Sequence, residues 1–272
     1  MTWVDLLLLS VLGGSVGLIA GLLGVGGGGI LVPVLASLFL SRGVQPDVAV
    51  HLSLGTAMAS IIATTFSSAR AHHQKQNVDW KVVKNMVPFI LLGSVLAALL
   101  ISVLNTLLLS LFFTAFMGYL SLSMLLNRLP PKAINQQGGH TNLVSVVIGA
   151  VSTLTAIGGG SLIVPYLVKQ GINIRKAVAS SAAIGVSIAI VGTSGYVING
   201  MTSYGGSSTA LPWALGFIHL PSVVIISISG FLAAPLGVKL SGRIPQLLLK
   251  KLFGLLLFVI SLKMLFNILA VV

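Results

Sequence analysis

Cysteine is absent from the sequence, and that absence excludes disulfides, thiolate nucleophiles and cysteine-built metal sites. Carboxylates are almost as scarce: Asp5, Asp47 and Asp79 are the only 3 acidic residues in 272, and all fall near the ends of apolar segments. No acidic side chain is therefore placed well inside a span to carry a proton. Charged residues of either sign make up 7% of the chain, so no stretch is long and polar enough to fold as a separate soluble domain. The longest polar stretches, Ser67 to Asp79 and Asn127 to Asn142, read as loops. The N-terminus, Met1 to Asp5, lacks the basic region and small-residue cleavage site of a signal peptide, which predicts that the first helix is retained.

What the chain has in abundance is apolar length. Hydrophobic residues account for 56% of it, in runs long enough to cross a bilayer from one end to the other. The fold class this predicts is all-α, a polytopic membrane protein whose function lies within the helix bundle. The net charge of +12 is not a nucleic-acid signature, because the basic residues sit in short loops between spans and act as topology determinants.

A glycine-broken stretch, Gly17 to Pro33, is repeated at Gly149 to Pro165, and setting Pro33 on Pro165 aligns Gly26, Gly27 and Gly28 with Gly158, Gly159 and Gly160. Consecutive glycines cost a helix interior about 1 kcal/mol each relative to alanine, so each copy should be a helix, a break and a short second helix. At membrane depth such a break is tolerated only where it is buried in protein or lines a polar cavity. Other apolar segments lie at about 48–66, 86–104, 107–126, 177–198, 221–239 and 247–270.

Charge decides how the broken units run. If each returns to the side it entered and the chain starts outside, 13 of the 15 basic residues fall inside, with only Arg42 and Lys263 left out. If each crosses once, 7 fall inside and 8 outside. The first arrangement gives an odd number of crossings per half, hence two inverted repeats, each a re-entrant unit plus three transmembrane helices. The expected division is a first membrane repeat over 1–126, a cytoplasmic linker over 127–142 and a second repeat over 143–272.

The chain resembles the sulfite exporter TauE/SafE family through its two glycine-proline units, His51 to Ser60, Ser67 to His73, Val78-Asp79-Trp80, Gly195-Tyr196 and Leu215 to Pro221. The resemblance covers nearly the whole chain. It implies a multi-pass carrier of the bacterial cytoplasmic (inner) membrane that moves sulfur-containing anions such as sulfite or organosulfonates, coupled to an ion gradient. It is a transporter reading and not an enzyme reading. Partners are a small anionic substrate and the lipid bilayer, without nucleic acid, and a homodimer is allowed for. No cofactor or metal is expected.

The residues suggest how an anion would be held. Half-helices starting after Gly29 and Gly160 would point free N–H groups, each end with about half a positive charge, toward the bilayer midplane. Gly26, Gly27, Gly28 and Gly29 with Gly158, Gly159, Gly160 and Ser161 would then bind substrate through backbone; the structural alternative is close helix packing. Hydroxyls of Ser53, Thr56 and Ser181 are candidates to complete the site, and Ser60, Thr64, Ser180, Ser187, Ser152, Thr153 and Thr155 lie in the same group, although membrane hydroxyls commonly bond back to their own helix. His51 is the coupling candidate or, alternatively, an interfacial cap. His72 and His73 read as solvated loop residues, His140 as a loop residue and Tyr196 as interfacial. Two rival functions are a passive anion channel, which would use the same site, and an intramembrane serine protease using Ser194 of Gly192-Thr193-Ser194-Gly195 with His219 as base.

Overall fold

A computed structural model describes residues 3–101, 104–126, 139–203, 211–241, 248, 251, 254–262 and 264. In the first half the elements are α1 (Trp3–Leu23), α2 (Gly28–Ser41), α3 (Pro46–Gln74), α4 (Trp80–Leu100) and α5 (Thr106–Leu125). In the second they are α6 (Gly139–Leu154), α7 (Gly160–Lys169), α8 (Ile174–Ser203), a two-stranded hairpin β1 (Ala214–Leu215) and β2 (Ile218–His219), and α9 (Leu220–Leu240). A further helical stretch covers 254–262. Six of these helices are long and apolar enough to cross a membrane. The fold is all-α and polytopic.

Local chemistry sets the boundaries. Pro46 stands in the first turn of α3, where its missing N–H has no helical partner to lose. The Asp79 side chain caps α4 by accepting from the N–H groups of Lys81 and Val82, and Asn105 caps α5 by accepting from Leu108. Gly27 and Gly159, each with φ 78, are the N-caps of α2 and α7, a left-handed conformation that disfavours any residue with a Cβ. Seven of the ten residues from Gln74 back to Thr65 are polar and yet the helix continues: 67–74, expected as loop, form the last two turns of α3 because Ser67 and Ser68 donate to carbonyls of neighbouring helices, Phe231 O and Ala20 O.

The packing is duplicated. α1 packs on α9 as α6 packs on α4, α3 packs on α9 as α8 packs on α4, α2 lies along α3 as α7 lies along α8, and α3 and α8 face each other at the centre. Close backbone approach marks both outer pairs, with Gly17 against Gly230 and Gly149 against Ile90.

α3 and α8 are antiparallel. Gly55 lies against Tyr196, Thr65 near Gly185, and the Asp79 N–H donates to Ser180 Oγ at 3.0 Å just beyond the end of α3. The start of α3 therefore defines one end of the bundle, the Pro46 end, and the start of α8 the other, the Gln74 end. Arg42, just after α2, pairs with Asp5 in the first turn of α1, so the first broken unit returns to the Pro46 end from which it came. The second unit returns to the Gln74 end, where Lys169 of α7 leads into α8. The halves are inverted. The linker expected over 127–142 lies outside the described residues up to 138.

Candidate functional site

The two breaks meet at mid-height. A Cβ on Gly26 would stand 3.1 Å from Gly158 Cα, a Cβ on Gly158 would stand 3.1 Å from Gly26 Cα, and the Ile61 side chain touches both positions. Ile61 lies half-way along α3, and Gly185 and Ile188, which touch Gly158 and Gly159, lie half-way along α8. The contacts on either side are also exchanged: Gly28 abuts the Ala156 carbonyl, and Gly160 abuts the Gly24 carbonyl. From this centre α2 runs to the Pro46 end and α7 to the Gln74 end, so their N-termini face each other.

At each N-terminus the first N–H groups have no carbonyl one turn back. Gly27 O already accepts from Ile30 and Leu31, and Gly159 O from Leu162 and Ile163, which leaves the N–H groups of Gly27 to Gly29 and of Gly159 to Ser161 outside the intrahelical ladders. All of these residues are buried.

The side chains around the breaks divide sharply. Six buried side-chain polar atoms lack a hydrogen-bond partner among the described residues, and three of them, Ser152 Oγ, Thr153 Oγ1 and Ser161 Oγ, belong to the second broken unit. Ser161 is in the first turn of α7 and 6% exposed; Ser152 is 1% exposed, with its Oγ 3.5 Å from where a Gly159 Cβ would lie. A buried hydroxyl without a partner costs about 1–3 kcal/mol, so the two beside one helix start are free to give a hydrogen bond to a polar group or take one from it.

Other expected contributors are committed elsewhere. Ser53 Oγ donates to Ala49 O at 2.5 Å, and Ser60, Thr64 and Thr65 also bond back along α3. Thr56 Oγ1 accepts from the His219 N–H at 3.0 Å and so braces the hairpin. Ser181 Oγ donates to Val178 O at 2.8 Å and lies 3.3 Å from Gly24 O, bracing the first break. His51 is ten residues from Ile61, about 15 Å along the helix axis. Its ring stacks on Phe217 at 5.0 Å, with Nδ1 3.3 Å from Asp47 O and 3.4 Å from Thr106 Oγ1, so it belongs to the Pro46 end and is not brought to the breaks.

Two aromatic readings are corrected. His72 is 3% exposed in the last turn of α3, where its Nε2–H donates to Gly21 O at 3.2 Å; the carbonyl can only accept, which fixes that tautomer. Tyr196 is wholly buried, and its hydroxyl donates to Leu154 O at 3.3 Å at the end of α6. His73 is exposed and accepts from Trp80 Nε1 at 3.3 Å, and His140 lies in the first turn of α6. The hairpin over 214–219 had no sequence signal beyond Gly216, whose φ of 56 allows the turn.

The protease pairing does not form. Ser194 Oγ points outward and donates to Ile190 O, whereas His219 Nδ1 is 2.8 Å from Ser222 Oγ.

The comparisons with known proteins agree with this architecture. The profile of the sulfite exporter TauE/SafE family matches residues 9–264. A protein of Haemophilus influenzae named a probable membrane transporter is 33% identical over 263 residues, covering 95% of this chain and 97% of its own. Similarly named proteins of Methanocaldococcus jannaschii (26% identical, 95% of this chain and 94% of its own) and Bacillus subtilis (27%, 86% and 89%) also match. No solved structure matches the chain. The mirrored helices, the re-entrant pair at their centre and these relatives together make the chain a multi-pass membrane transporter belonging to the sulfite exporter TauE/SafE family.

Proposed function

We propose that the chain is a secondary carrier, of the exporting kind, for a small sulfur-containing anion of the sulfite or organosulfonate class, driven by an ion gradient across the bacterial cytoplasmic membrane. The anion is held between the N-terminal ends of α2 and α7 by the N–H groups of Gly26 to Gly29 and Gly158 to Ser161. The observation that carries this reading is the Ser161 hydroxyl: unpartnered, 6% exposed, and set in the first turn of a half-helix whose N-terminus faces that of its mirror image. Helix N-termini attract anions through free N–H groups and partial positive charge, and two such ends approaching from opposite sides add their fields.

Orientation follows from charge. Arg70, Lys75, Lys81, Lys84, Lys169, Arg175, Lys176 and Lys239 gather at the Gln74 end, while Arg42 stands at the Pro46 end, which makes the Gln74 end cytoplasmic.

The absence of cysteine from the chain provides a clean test. Ser161→Cys introduces a single thiol, and its modification by a small membrane-permeant methanethiosulfonate in proteoliposomes should be slowed by methanesulfonate, which, unlike sulfite, does not consume the reagent. Unchanged labelling over the whole range of methanesulfonate concentrations that saturates transport would remove Ser161 from the site. Uphill accumulation in the same vesicles separates a carrier from a passive channel, which only dissipates gradients.

A further inference from the structure

The two half-helix ends are not chemically equal. Under the repeat alignment Ser161 stands where the first unit has Gly29, Ser152 where it has Ala20, Thr153 where it has Gly21 and Thr155 where it has Leu23. The first unit therefore offers backbone and clearance, and the second adds hydroxyls. Thr155 bonds back to Val151 O, and Thr153, next to Ser152 on α6, projects in a different direction from it, so Ser152 and Ser161 are the pair available at the α7 N-terminus.

Formal charge is missing from the same place. α2 carries no charged residue in its first or last turn, and Arg42 at its C-cap and Lys169 of α7 both lie at the far ends of the half-helices. On the elements packed against them, the charged side chains and histidines among the described residues are at the extremities: Asp5 on α1; Asp47, His51, Arg70, His72 and His73 on α3; and Arg175 and Lys176 in the first turn of α8; Tyr196 of α8 lies further in, where its neutral hydroxyl donates to Leu154 O. The positive potential at the centre thus comes from two helix ends of about half a charge each. Their sum matches one negative charge, whereas a second would remain uncompensated in a low-dielectric interior.

We infer that the site selects the singly charged form of a compact oxyanion, with the Ser152 and Ser161 hydroxyls as its specificity-determining contacts. A hydroxyl both donates and accepts, so the pair holds an acceptor-only sulfonate and also an anion that still carries a proton, such as hydrogen sulfite. Any proton that travels with sulfite then rides on the anion, because among the described residues no carboxylate, lysine or histidine reaches the breaks and the Tyr196 hydroxyl already donates to Leu154 O. This inference rests on the site proposed above and adds the charge state and the two residues that read it.

Binding to the purified protein in detergent, followed by calorimetry, tests it with three probes. Methanesulfonate is a monoanion at every accessible pH, sulfate a dianion, and sulfite changes from one to the other near neutrality. Methanesulfonate affinity should not vary between mildly acidic and mildly alkaline pH, sulfite affinity should fall about tenfold per pH unit on the alkaline side, and sulfate should bind about a hundredfold more weakly than methanesulfonate. Ser152→Ala and Ser161→Ala should each weaken methanesulfonate about tenfold. Ser37→Ala, at an exposed hydroxyl of α2 that bonds back to Pro33 O, should change affinity less than threefold. Sulfate bound as tightly as methanesulfonate, sulfite affinity flat with pH, or serine variants with unaltered affinity would each overturn the charge-state inference and leave the helix-end site standing. Wild-type protein that binds none of the three, or folded Gly159→Val protein that binds them normally, would overturn the site itself.

Discussion

Gly26 and Gly158 occupy equivalent positions in opposite halves, and each leaves room only for hydrogen on the side facing the other. Their contact is the point about which the duplicated packing exchanges. Side chains there would separate α2 from α7 and break the alignment of their N-termini.

Substitution at the N-caps should therefore be severe. Gly27 and Gly159 combine φ 78 with contacts to Val16 and Ile188, so valine at either would suffer both backbone strain and overlap. Gly27→Val and Gly159→Val are expected to cost about 2–4 kcal/mol and to abolish transport. Thermal unfolding in detergent beside vesicle flux would check this, and normal flux from both variants would refute it.

Lys75 provides a contrast at the surface. Its Nζ donates to Val238 O at 2.8 Å, closing the C-terminal end of α9, so Lys75→Ala should lower stability by about 0.5–1 kcal/mol and leave substrate affinity unchanged. A changed KM would mean that the Gln74 end contributes to binding.

His51→Gln should keep both transport and its pH dependence, because the imidazole packs on Phe217 about 15 Å from the glycine contact. Loss of pH dependence in a folded variant would restore His51 as the proton carrier and contradict its placement.

His219, in the hairpin before α9, is held neutral. Burial pushes its imidazole down to about 4, with the charge of Arg42 acting in the same direction. A group whose folded value is depressed contributes stability above its ordinary value of 6.5, and that stability is lost as the pH falls from 6.5 toward about 4. Unfolding temperature should drop over that interval in the wild type and drop less in His219→Gln. Equal acid sensitivity in the two proteins would show that His219 does not set it.

Thiol accessibility can check the topology. Gln76→Cys and Gln170→Cys should be labelled by an impermeant reagent from one side of the membrane and Gln45→Cys from the other, as the Asp79–Ser180 bond and the Asp5–Arg42 pair require. Labelling of Gln76→Cys and Gln170→Cys from opposite sides would contradict the inverted arrangement.

Much of this architecture could be read directly from residues. Apolar length located the spans, the doubled glycines located both breaks, and the sorting of basic side chains distinguished a returning unit from a crossing one. The hydroxyls were less readable. Every helical serine has a carbonyl one turn back, and only the packed structure shows that Ser53 uses it while Ser152 and Ser161 do not. His72 and Tyr196 look like loop and interface residues because their partners, Gly21 O and Leu154 O, are backbone atoms distant in sequence. Ala156 takes φ 51 where its counterpart Gly24 takes φ 69, so the doubled backbone shape persists at a position where the residue type does not announce it.

The hairpin at Ala214–His219 has no counterpart between α3 and α4, where five residues, 75–79, suffice. It closes over the Pro46 end through the Phe217 N–H to Tyr196 O, the His219 N–H to Thr56 Oγ1 and the edge of His219 against Phe39. Two interchangeable halves would be tied together alike at both ends. Here the hairpin joins α8, α3 and α2 at the Pro46 end alone, so the two ends of the bundle are braced by different contacts although the packing between them is doubled.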